Sequence, residues 1–466
     1  MSNGEPLETG PEPAVDRRDD DFALDAEMVA AVCDAVDAGD RNGALALLAD
    51  LHPADTADLI EQVTATQRKA LVSLVWADLD NDVIVELDDG IRDEVLDILN
   101  TTELVETAKD LEADDLVYLV DDLEDAQKEA VLDALDPVER AAVVKSLEYE
   151  ENSAGRLMQI DFVKAPQFWT VGQMIDALRA DDDLPEQFYD IIIVDPAVRP
   201  IGTIPLSAVL ANRRPVTLES LMTDDFRTLH VADEQEDVAY AFNQYHLVSA
   251  PVVDGDGRVV GVITIDDAME VLEDEAEEDI KRLGGVGDEE ISDQVIAIAR
   301  RRFPWLVANL VTAVLASAVI AQFDATISQI VALAVLMPIV ASMGGNAGTQ
   351  TLTVAVRALA TRDLTPTNIF RVVGREAVVG FINGVLFAIM VGGIAWAWFG
   401  SVPLGGVIAA AMVFNMIVAG LAGILIPIGL DRLGADPALA SGTFVTTVTD
   451  ICGFFAFLGL AGLVLL

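Results

Sequence analysis

The sequence predicts a multidomain protein with an all-α helical-repeat N-terminal domain, an α/β region of two tandem units and a five-helix α-helical transmembrane domain. The first observation is charge, because residues 1–303 carry 72 acidic and 23 basic side chains whereas residues 304–466 carry 6 and 5. The second is that residues 304–466 consist of long apolar runs separated by short polar turns. The third is a change near residue 150 from helical periodicity to a mixed helix and strand pattern.

Residues 1–22 are rich in Pro, Gly and acidic side chains, which predicts a disordered acidic N-terminus. Residues 23–150 show helical periodicity with a loose repeat: a Leu, an acidic or Pro-containing helix start and an apolar stripe. This repeat predicts a short stack of helical hairpins with acidic first turns at the helix N-termini. The four repeats begin at Leu51, Leu87, Leu111 and Leu135.

Residues 151–276 predict two similar α/β units, 151–215 and 216–276, each with a helix followed by two strands. The segment Asp254-Gly255-Asp256-Gly257 lies between two strands, so we interpret it as a hairpin turn rather than as an EF-hand loop. The predicted elements are helix Val171–Arg179 with strands Phe188–Val194 and Pro200–Leu206, and helix Glu236–Tyr245 with strands Ala250–Val253 and Val259–Thr264.

An acidic run follows the second unit, with 9 acidic residues and no basic residue among the 14 residues 266–279. On a helix, these side chains form faces of like charge that repel, and a hard divalent cation with oxygen ligands would relieve the repulsion. The alternative is a solvated face, because adaptation to concentrated salt accounts for the acidity of the chain as a whole. Residues 277–303 are expected to form a connecting amphipathic helix. The two faces contain Glu275, Glu278 and Asp279, and Glu270, Asp274 and Glu277.

The domain at residues 304–466 contains five apolar segments, each long enough to cross a bilayer, which takes roughly 20 residues. Pro338 and the glycines that follow it predict a tilt or a break in the second segment. Arginines lie before the first segment, between the second and third, and between the fourth and fifth. The positive-inside rule therefore predicts a multi-pass plasma-membrane protein with cytoplasmic N-terminal domains and the C-terminus outside. The segments are about 304–323, 327–356, 372–399, 403–430 and 438–465.

Ionisable side chains within such segments are costly, and the fifth segment carries Asp450 with no basic residue. An unpaired carboxylate there must face water, a cation or another chain, which predicts a role in an ion path. Glu376, next to Arg375, is interpreted as an interfacial ion pair instead. Small and polar residues in the second and fifth segments can line a wet path or serve as packing contacts. They include Asn346, Gln350, Thr446 and Thr447.

The two α/β units resemble a tandem pair of CBS domains. The resemblance rests on Leu157-Met158 and Leu221-Met222 at the unit starts, on Ala250–Asp254 and on the Gly261–Asp267 segment. It implies that a G-x-x-T-x-x-D pattern binds ATP or another adenine nucleotide through Gly261, Thr264 and Asp267. The first unit departs from this pattern, with Gly202, Pro205 and Ala208 at the corresponding positions.

Nearly the whole chain is similar to the MgtE family of magnesium channels and transporters. The signatures are GGNAGTQ at 344–350, RALATRDL at 357–364 and GADPALASGTFVTTVTD at 434–450, with ENSAGRLM at 151–158 and EAEEDIKRLGGV at 275–286. The resemblance implies a homodimer in the lipid bilayer, Mg²⁺ as substrate and a pore on the two-fold axis. It assigns Asp450 to the pore and Asp436 to its cytoplasmic mouth. Two facing Asp450 carboxylates suit Mg²⁺, which dehydrates reluctantly and keeps several waters.

The same resemblance implies that cytosolic Mg²⁺ is also a regulatory ligand, which closes the pore through residues 284–302. His246 departs from the acidic residue that the family tends to have there, which predicts an altered regulatory site. The implied ligands are Asp267, Glu270, Glu275, Glu278 and Asp279, with Asp114 and Asp115 from the helical domain.

Two alternatives stay open: a membrane-bound divalent-cation sensor without transport, and a transporter that prefers Mn²⁺ or Co²⁺. An ATP-driven transporter would need a P-loop, and no G-x-x-x-x-G-K-[ST] sequence occurs. No catalytic constellation is recognised and the chain is strongly acidic. We therefore expect neither an enzyme nor a nucleic-acid partner.

Overall fold

A computed structural model divides the chain into two compact units, one ending at Val271 and the other comprising Leu272–Leu466. The predicted disorder of residues 1–22 lies outside the described residues. Those are 24–181, 184–185, 187–287, 289, 295–439 and 442–466.

The first unit begins with the predicted helical stack, which has nine α-helices between residues 24 and 150 of the described chain. Helices start two residues after each repeat leucine, which confirms the repeat. Local capping supports two of these four starts: the His52 side chain accepts from the Ala54 N–H, and the Asp136 carboxylate accepts from the N–H groups of Val138 and Glu139. The helices are α1 Ala26–Asp37, α2 Arg41–Leu48, α3 Pro53–Gln62, α4 Ala65–Val75, α5 Asp89–Ile98, α6 Thr101–Asp110, α7 Ala113–Asp122, α8 Asp125–Ala134 and α9 Pro137–Ser146.

Two three-stranded sheets follow, with the same topology in both α/β units. The sheet orders are β1-β2-β3 and β4-β5-β6, and in each the first pair is parallel and the second antiparallel. The short first strand of each sheet was not predicted. The elements are α10 Ala154–Leu157, β1 Lys164–Pro166, α11 Val171–Leu178, β2 Asp190–Val194, β3 Pro200–Pro205, α12 Leu206–Ala211, β4 Leu229–His230, α13 Gln235–Tyr245, β5 Ser249–Val253 and β6 Val259–Thr264.

The hairpin predicted between the last two strands is confirmed. The N–H of Gly257 donates to the Asp254 carbonyl at 2.9 Å, and Gly257 has φ +77°. The Asp254 carboxylate accepts from the N–H groups of Asp256 and Arg258, both at 2.9 Å. This carboxylate therefore closes the turn rather than serving as a calcium ligand.

The acidic run lies on helix α14, Ile265–Gly284, which starts directly after β6. The prediction of one connecting helix over 277–303 is wrong, because α14 ends at Gly284 and the next described helix, α15, begins at Val295. Gly285 and Gly287 both have φ +71°, a left-handed conformation that ends a helix and favours glycine.

The membrane domain contains, among the described residues, five helices that are long and apolar enough to span a bilayer. Of the tilt or break expected in the second segment, the break does not occur at Pro338 or the glycines, because one helix runs through all of them. The chain is interrupted earlier, around Ile330, where a short helix precedes the second span. The helices are α15 Val295–Ala321, short α16 Asp324–Gln329, α17 Ala332–Ala360, α18 Ile369–Phe399, α19 Val402–Arg432 and α20 Gly442–Val464.

Helix α19 is the centre of this domain and packs against α17, α18 and α20. Glycines bring the backbones into contact, because a Cβ at Gly423 would lie 2.5 Å from the Gly348 carbonyl oxygen. A Cβ at Gly380 would lie 2.6 Å from the Met416 carbonyl oxygen. Such small-residue contacts are the usual basis of close helix packing in a bilayer.

Candidate ion path and carboxylate clusters

The candidate ion path is built on α20, whose only charged residue is Asp450. Asp450 is half-buried, and the preceding Thr449 is fully buried. Thr446 and Thr447 donate their hydroxyl hydrogens to the Thr443 carbonyl at 3.0 and 2.7 Å. These bonds satisfy the two hydroxyl hydrogens within the helix, and the hydroxyl oxygens can still accept from the waters of a hydrated ion.

The glycines of α17 pack directly on this face of α20. A Cβ at Gly345 would lie 3.0 Å from the Thr446 Cγ2, and a Cβ at Gly348 would overlap the Val445 side chain. Asn346 and Gln350 are exposed and lie one turn apart on α17. The structure thus places the predicted Thr446 against α17, with both predicted amides on that same helix.

Asn415 of α19 is a fully buried polar residue that does not belong to the site residues predicted from the sequence. Its Nδ2 donates to the Val340 carbonyl at 2.9 Å, and its Oδ1 has no hydrogen-bond partner among the described residues. The side chain fills a notch between Gly344 and Gly453, where a Cβ on either glycine would overlap the amide. Asn415 therefore joins three helices next to the candidate ion path.

Asp436 precedes a 3₁₀ turn, Pro437–Leu439, and both of its carboxylate oxygens have partners. Oδ1 accepts from the Ala438 N–H at 2.7 Å, and Oδ2 forms an ion pair with Arg282 Nη1. The second guanidinium nitrogen of Arg282 pairs with Glu278 one turn earlier on α14. The i,i+4 spacing could have indicated the pair with Glu278. No local signal indicates a partner that lies 154 residues away.

Asp279 belongs to the same carboxylate group in the second unit. Burial raises its pKa to about 6, with further contributions from the carboxylates of Asp436 and Glu275, whereas Arg357 opposes the shift. Within the second unit, the predicted ligands Glu278 and Asp279 thus lie near the predicted mouth residue Asp436.

Glu376 has the environment expected of an interfacial residue. Its carboxylate pairs with Arg375 at 3.2 Å and accepts from the Thr351 hydroxyl at 3.3 Å. The ion pair agrees with the interpretation given to this residue from its sequence neighbours.

A second carboxylate cluster lies entirely within the first unit, where the first turn of α7 meets the start of α14. Burial raises the pKa of Asp114 well above its ordinary value, with contributions from Asp267, Asp115 and Glu112, and the buried Asp114 Oδ1 has no hydrogen-bond partner among the described residues. Burial, Asp267 and Glu112 raise the pKa of Asp115 to about 7, and Glu270 contributes as well. The structure therefore brings together four predicted ligands from segments about 150 residues apart.

Asp267 has a second task in this cluster. Its Oδ2 accepts from the Thr264 hydroxyl at 2.8 Å and from the Thr264 N–H at 3.2 Å, so it caps α14. Burial nevertheless raises its pKa. Within the described parts of the chain, no three His, Cys, Asp or Glu side chains are already arranged to hold a metal ion. What the cluster offers is several carboxylates close together and one buried oxygen, Asp114 Oδ1, that has no partner among the described residues.

His246, the departure noted from the sequence, is exposed and lies at the end of α13 with φ +54°. Its N–H donates to the Phe242 carbonyl, which closes the last turn of the helix. The position is left-handed, a conformation in which His is enriched among non-glycine residues. In this structure His246 thus has a backbone role.

A cleft of about 280 Å³, including space open to solvent, lies between the two α/β units. Ser249 donates to Asp190 at 2.6 Å in its wall. Of the predicted nucleotide residues, Thr264 lines the cleft, whereas Gly261 packs so closely that a Cβ would lie 2.6 Å from the Gln159 carbonyl oxygen. The cleft also has three aromatic residues in its lining, Phe162, Phe188 and Tyr189.

Comparisons with known proteins match three parts of the chain to the same family or to the CBS domain. Family models match at residues 337–460 (MgtE, divalent cation transporter), 51–152 (MgtE intracellular N domain) and 218–274 (CBS domain). The chain is 34% identical over 315 residues to the magnesium transporter MgtE of Enterococcus faecalis, covering 68% of this chain and 70% of that protein. It is 29% identical to the Bacillus subtilis protein of the same name over 413 residues, covering 88% and 92%.

The Thermus thermophilus magnesium transporter MgtE is 34% identical over 323 residues, covering 68% of this chain and 71% of that protein. Among solved structures, the cytosolic domain of the Mg²⁺ channel MgtE in complex with ATP is 28% identical, with a TM-score of 0.48, covering 52% of this chain and 99% of that one. The soluble part of a magnesium transporter is 24% identical, with a TM-score of 0.47, covering 54% and 98%.

Proposed function

The chain belongs to the MgtE family of magnesium transporters, and on that premise we propose that it mediates Mg²⁺ uptake across the plasma membrane as a homodimeric channel or transporter. The observation that carries this proposal is Asp450, a carboxylate on an apolar helix without a basic residue. The glycine face of α17 packs on α20 beside it, so the helices that would bound an ion path are already in contact. We further propose that the C-terminus faces outside.

In this mechanism the Asp450 carboxylates of two copies face each other and hold Mg²⁺ through its hydration waters. Mg²⁺ gives up water reluctantly, and carboxylates in a low-dielectric surround attract it strongly. The hydroxyl oxygens of Thr446 and Thr447 and the amides of Asn346 and Gln350 offer further polar groups to those waters. Asp436 attracts the ion at the cytoplasmic mouth.

Cytosolic Mg²⁺ is proposed to regulate the same protein through its carboxylate clusters. In the first unit, Asp114, Asp115, Asp267 and Glu270 carry charge that burial makes costly, and a bound divalent cation would neutralise it. In the second unit, the proposed regulatory ligands are Glu275, Glu278 and Asp279.

The cleft between the α/β units is the proposed site for ATP or another adenine nucleotide. A solved relative binds ATP in its cytosolic domain, and three aromatic residues line the cleft here. An adenine ring can stack on such residues. The Thr264 hydroxyl donates its hydrogen to Asp267, so its oxygen is left to accept from a hydroxyl or N–H group of the nucleotide.

The test is Mg²⁺ influx into liposomes that contain the purified full-length chain. We expect Asp450→Ala and Asp450→Asn to abolish or strongly reduce influx while the dimer persists on size exclusion. Asp324→Asn, which neutralises an exposed carboxylate on α16, is the matched control and should leave influx unchanged. Influx at the wild-type rate in Asp450→Ala would refute the pore role.

The second candidate is a membrane-bound divalent-cation sensor without transport, which the carboxylate cluster of the first unit would serve equally well. It predicts Mg²⁺ binding without influx in the wild-type protein. Competition of Mn²⁺ and Co²⁺ against Mg²⁺ in the same liposomes distinguishes a magnesium transporter from one that prefers another divalent cation.

A further inference from the structure

Arg282 ties the last turn of α14 to the candidate pore mouth. Its Nη1 pairs with Asp436 Oδ2 and its Nη2 pairs with Glu278, while Asp436 Oδ1 is engaged by the Ala438 N–H. A planar guanidinium holds two carboxylates in a fixed geometry and stays charged at any physiological pH. Both oxygens of Asp436 are therefore occupied by groups of the chain itself.

The neighbouring Lys281 shows what an ordinary helical ion pair looks like on the same turn. Its Nζ lies 2.8 Å from Glu277 at i,i+4, a pair within α14. The pair between Arg282 and Asp436 differs because it connects two elements, α14 and the 3₁₀ turn that precedes α20. It also lies where acidic charge is concentrated, since Asp436 contributes to the raised pKa of Asp279.

Side-chain exposure is intermediate at both ends of this contact, 34% for Arg282 and 28% for Asp436. The pair is thus shielded enough to form a defined contact and open enough for a hydrated ion to reach the carboxylate. A divalent cation that approaches Asp436 meets a carboxylate whose Oδ2 already has a positive partner.

We propose that Arg282 is a tethered cation that occupies the Asp436 carboxylate, and that a divalent cation passing the pore mouth must displace it from Oδ2. The proposal rests on the proposed function, because it takes Asp436 as the mouth of an ion path. Displacement of Arg282 would also break the contact between the end of α14 and Asp436. Each ion that passes the mouth would therefore release the end of α14 at the same time.

The first test is the initial rate of Mg²⁺ influx into liposomes at low internal Mg²⁺. Arg282→Gln removes the competing charge and should raise the rate about two- to five-fold, the range that a partly exposed ion pair permits. Arg282→Lys keeps the charge but loses the simultaneous contact of the guanidinium with Glu278 and Asp436. Its influx rate should therefore lie between the rates of the wild type and of Arg282→Gln. Lys281→Gln is the matched control and should leave the rate unchanged. A rate for Arg282→Gln at or below that of the wild type, or an equal rise in Lys281→Gln, overturns the proposal.

The second test reads the contact directly, by hydrogen–deuterium exchange in the full-length dimer. Arg282→Gln and Asp436→Asn should both speed exchange in the last turn of α14, and Lys281→Gln should not. Unchanged exchange in Asp436→Asn contradicts the tether even if influx is lost. Influx that survives Asp450→Ala would refute the proposed function instead, so the two failures are distinguishable.

Discussion

At the scale of single residues, Asn415 shows how tightly the candidate ion path is fitted. The amide lies in a notch between two glycines of different helices and donates to the Val340 carbonyl at 2.9 Å. An amide held in this way cannot move aside for an added methyl group. Gly344 is therefore required for steric reasons, independently of any contact with an ion.

We predict that Gly344→Ala lowers the melting temperature of the purified protein, because overpacking of a close-packed core costs about 1–3 kcal/mol. Asn415→Ala should rescue it, since the truncated side chain leaves room for the new Cβ. Gly393→Ala is the control, because a Cβ there meets no atom within 4 Å. Additive losses in the Gly344→Ala, Asn415→Ala double variant would contradict the steric account.

Residues also mark the limit of prediction from the sequence. Asp450 could be singled out because its isolation in an apolar segment is visible in the sequence. The buried Arg92 could not, because its partners Asp122 and Tyr118 come from α7, 30 and 26 residues away. The pair of Arg282 with Asp436 was missed for the same reason. Ion pairs between distant segments have no periodic signature.

At the scale of elements, the junction between α14 and α15 is set by glycine. Gly285 and Gly287 share φ +71°, but only Gly285 faces the Trp305 indole, which a Cβ there would overlap. A continuous amphipathic helix over residues 277–303 was expected here. The positive φ of the two glycines prevents it, because helical hydrogen bonding ends at Gly284.

We predict that Gly285→Ala disturbs Mg²⁺-dependent closure more than Gly287→Ala does. Both substitutions place a Cβ at a left-handed position, which costs about 1–2 kcal/mol of backbone strain, and this shared cost cancels when the two variants are compared. The excess comes from the clash with Trp305, and Trp305→Ala should remove it. Influx at high internal Mg²⁺ measures closure. Equal effects of the two glycine substitutions would show that the indole contact is unimportant.

Across the whole molecule, acidic side chains that are spread over the chain differ from those that are buried in clusters. The diffuse kind is spread over residues 1–303, with 72 acidic side chains, and salt screens it over a Debye length of roughly 3 Å at 1 M. The local kind consists of buried carboxylates such as Asp115, where a bound cation must supply charge at short range. Screening and binding therefore make different demands on the surrounding solution.

The sign of the pH dependence follows from the raised pKa of Asp115, about 7 against an ordinary 3.8. Between these values the unfolded chain has lost its proton and the folded chain has kept it. The contribution of Asp115 to the free energy of unfolding is therefore fully present below pH 3.8, the ordinary pKa, and is lost as the pH rises to about 7, the pKa in the folded chain. Above it, the ionised carboxylate is available to a divalent cation.

We predict that Mg²⁺ protects residues 24–271 from limited proteolysis more at about pH 8 than at about pH 5.5, because protons occupy Asp115 at the lower pH. Asp115→Asn should weaken both the protection and its pH dependence, whereas Asp125→Asn, on the neighbouring helix α8, should not. Potassium chloride at matched ionic strength is the control. Equal protection by potassium chloride would mean that the acidity serves salt adaptation alone.

The order of the domains along the chain was easier to predict than any other feature, because composition and periodicity change at each domain boundary. The family models at 51–152, 218–274 and 337–460 follow that same order. Residues that meet across the fold were less predictable. Asp114 and Asp115 could be placed beside Asp267 only by resemblance, since nothing in their local sequence specifies which helix start α14 will face.

The Trp305 contact has an optical consequence. Its indole lies against Gly285 on one side and meets Phe444 of α20 edge to face, with ring centroids 6.1 Å apart. Indole emission is sensitive to what surrounds the ring, and here the surroundings come from the end of α14 and the start of the helix that carries Asp450. With the other four tryptophans replaced by phenylalanine, the chain would carry its own fluorescent reporter at this junction. Movement of the helix end could then be followed in real time, without an attached dye.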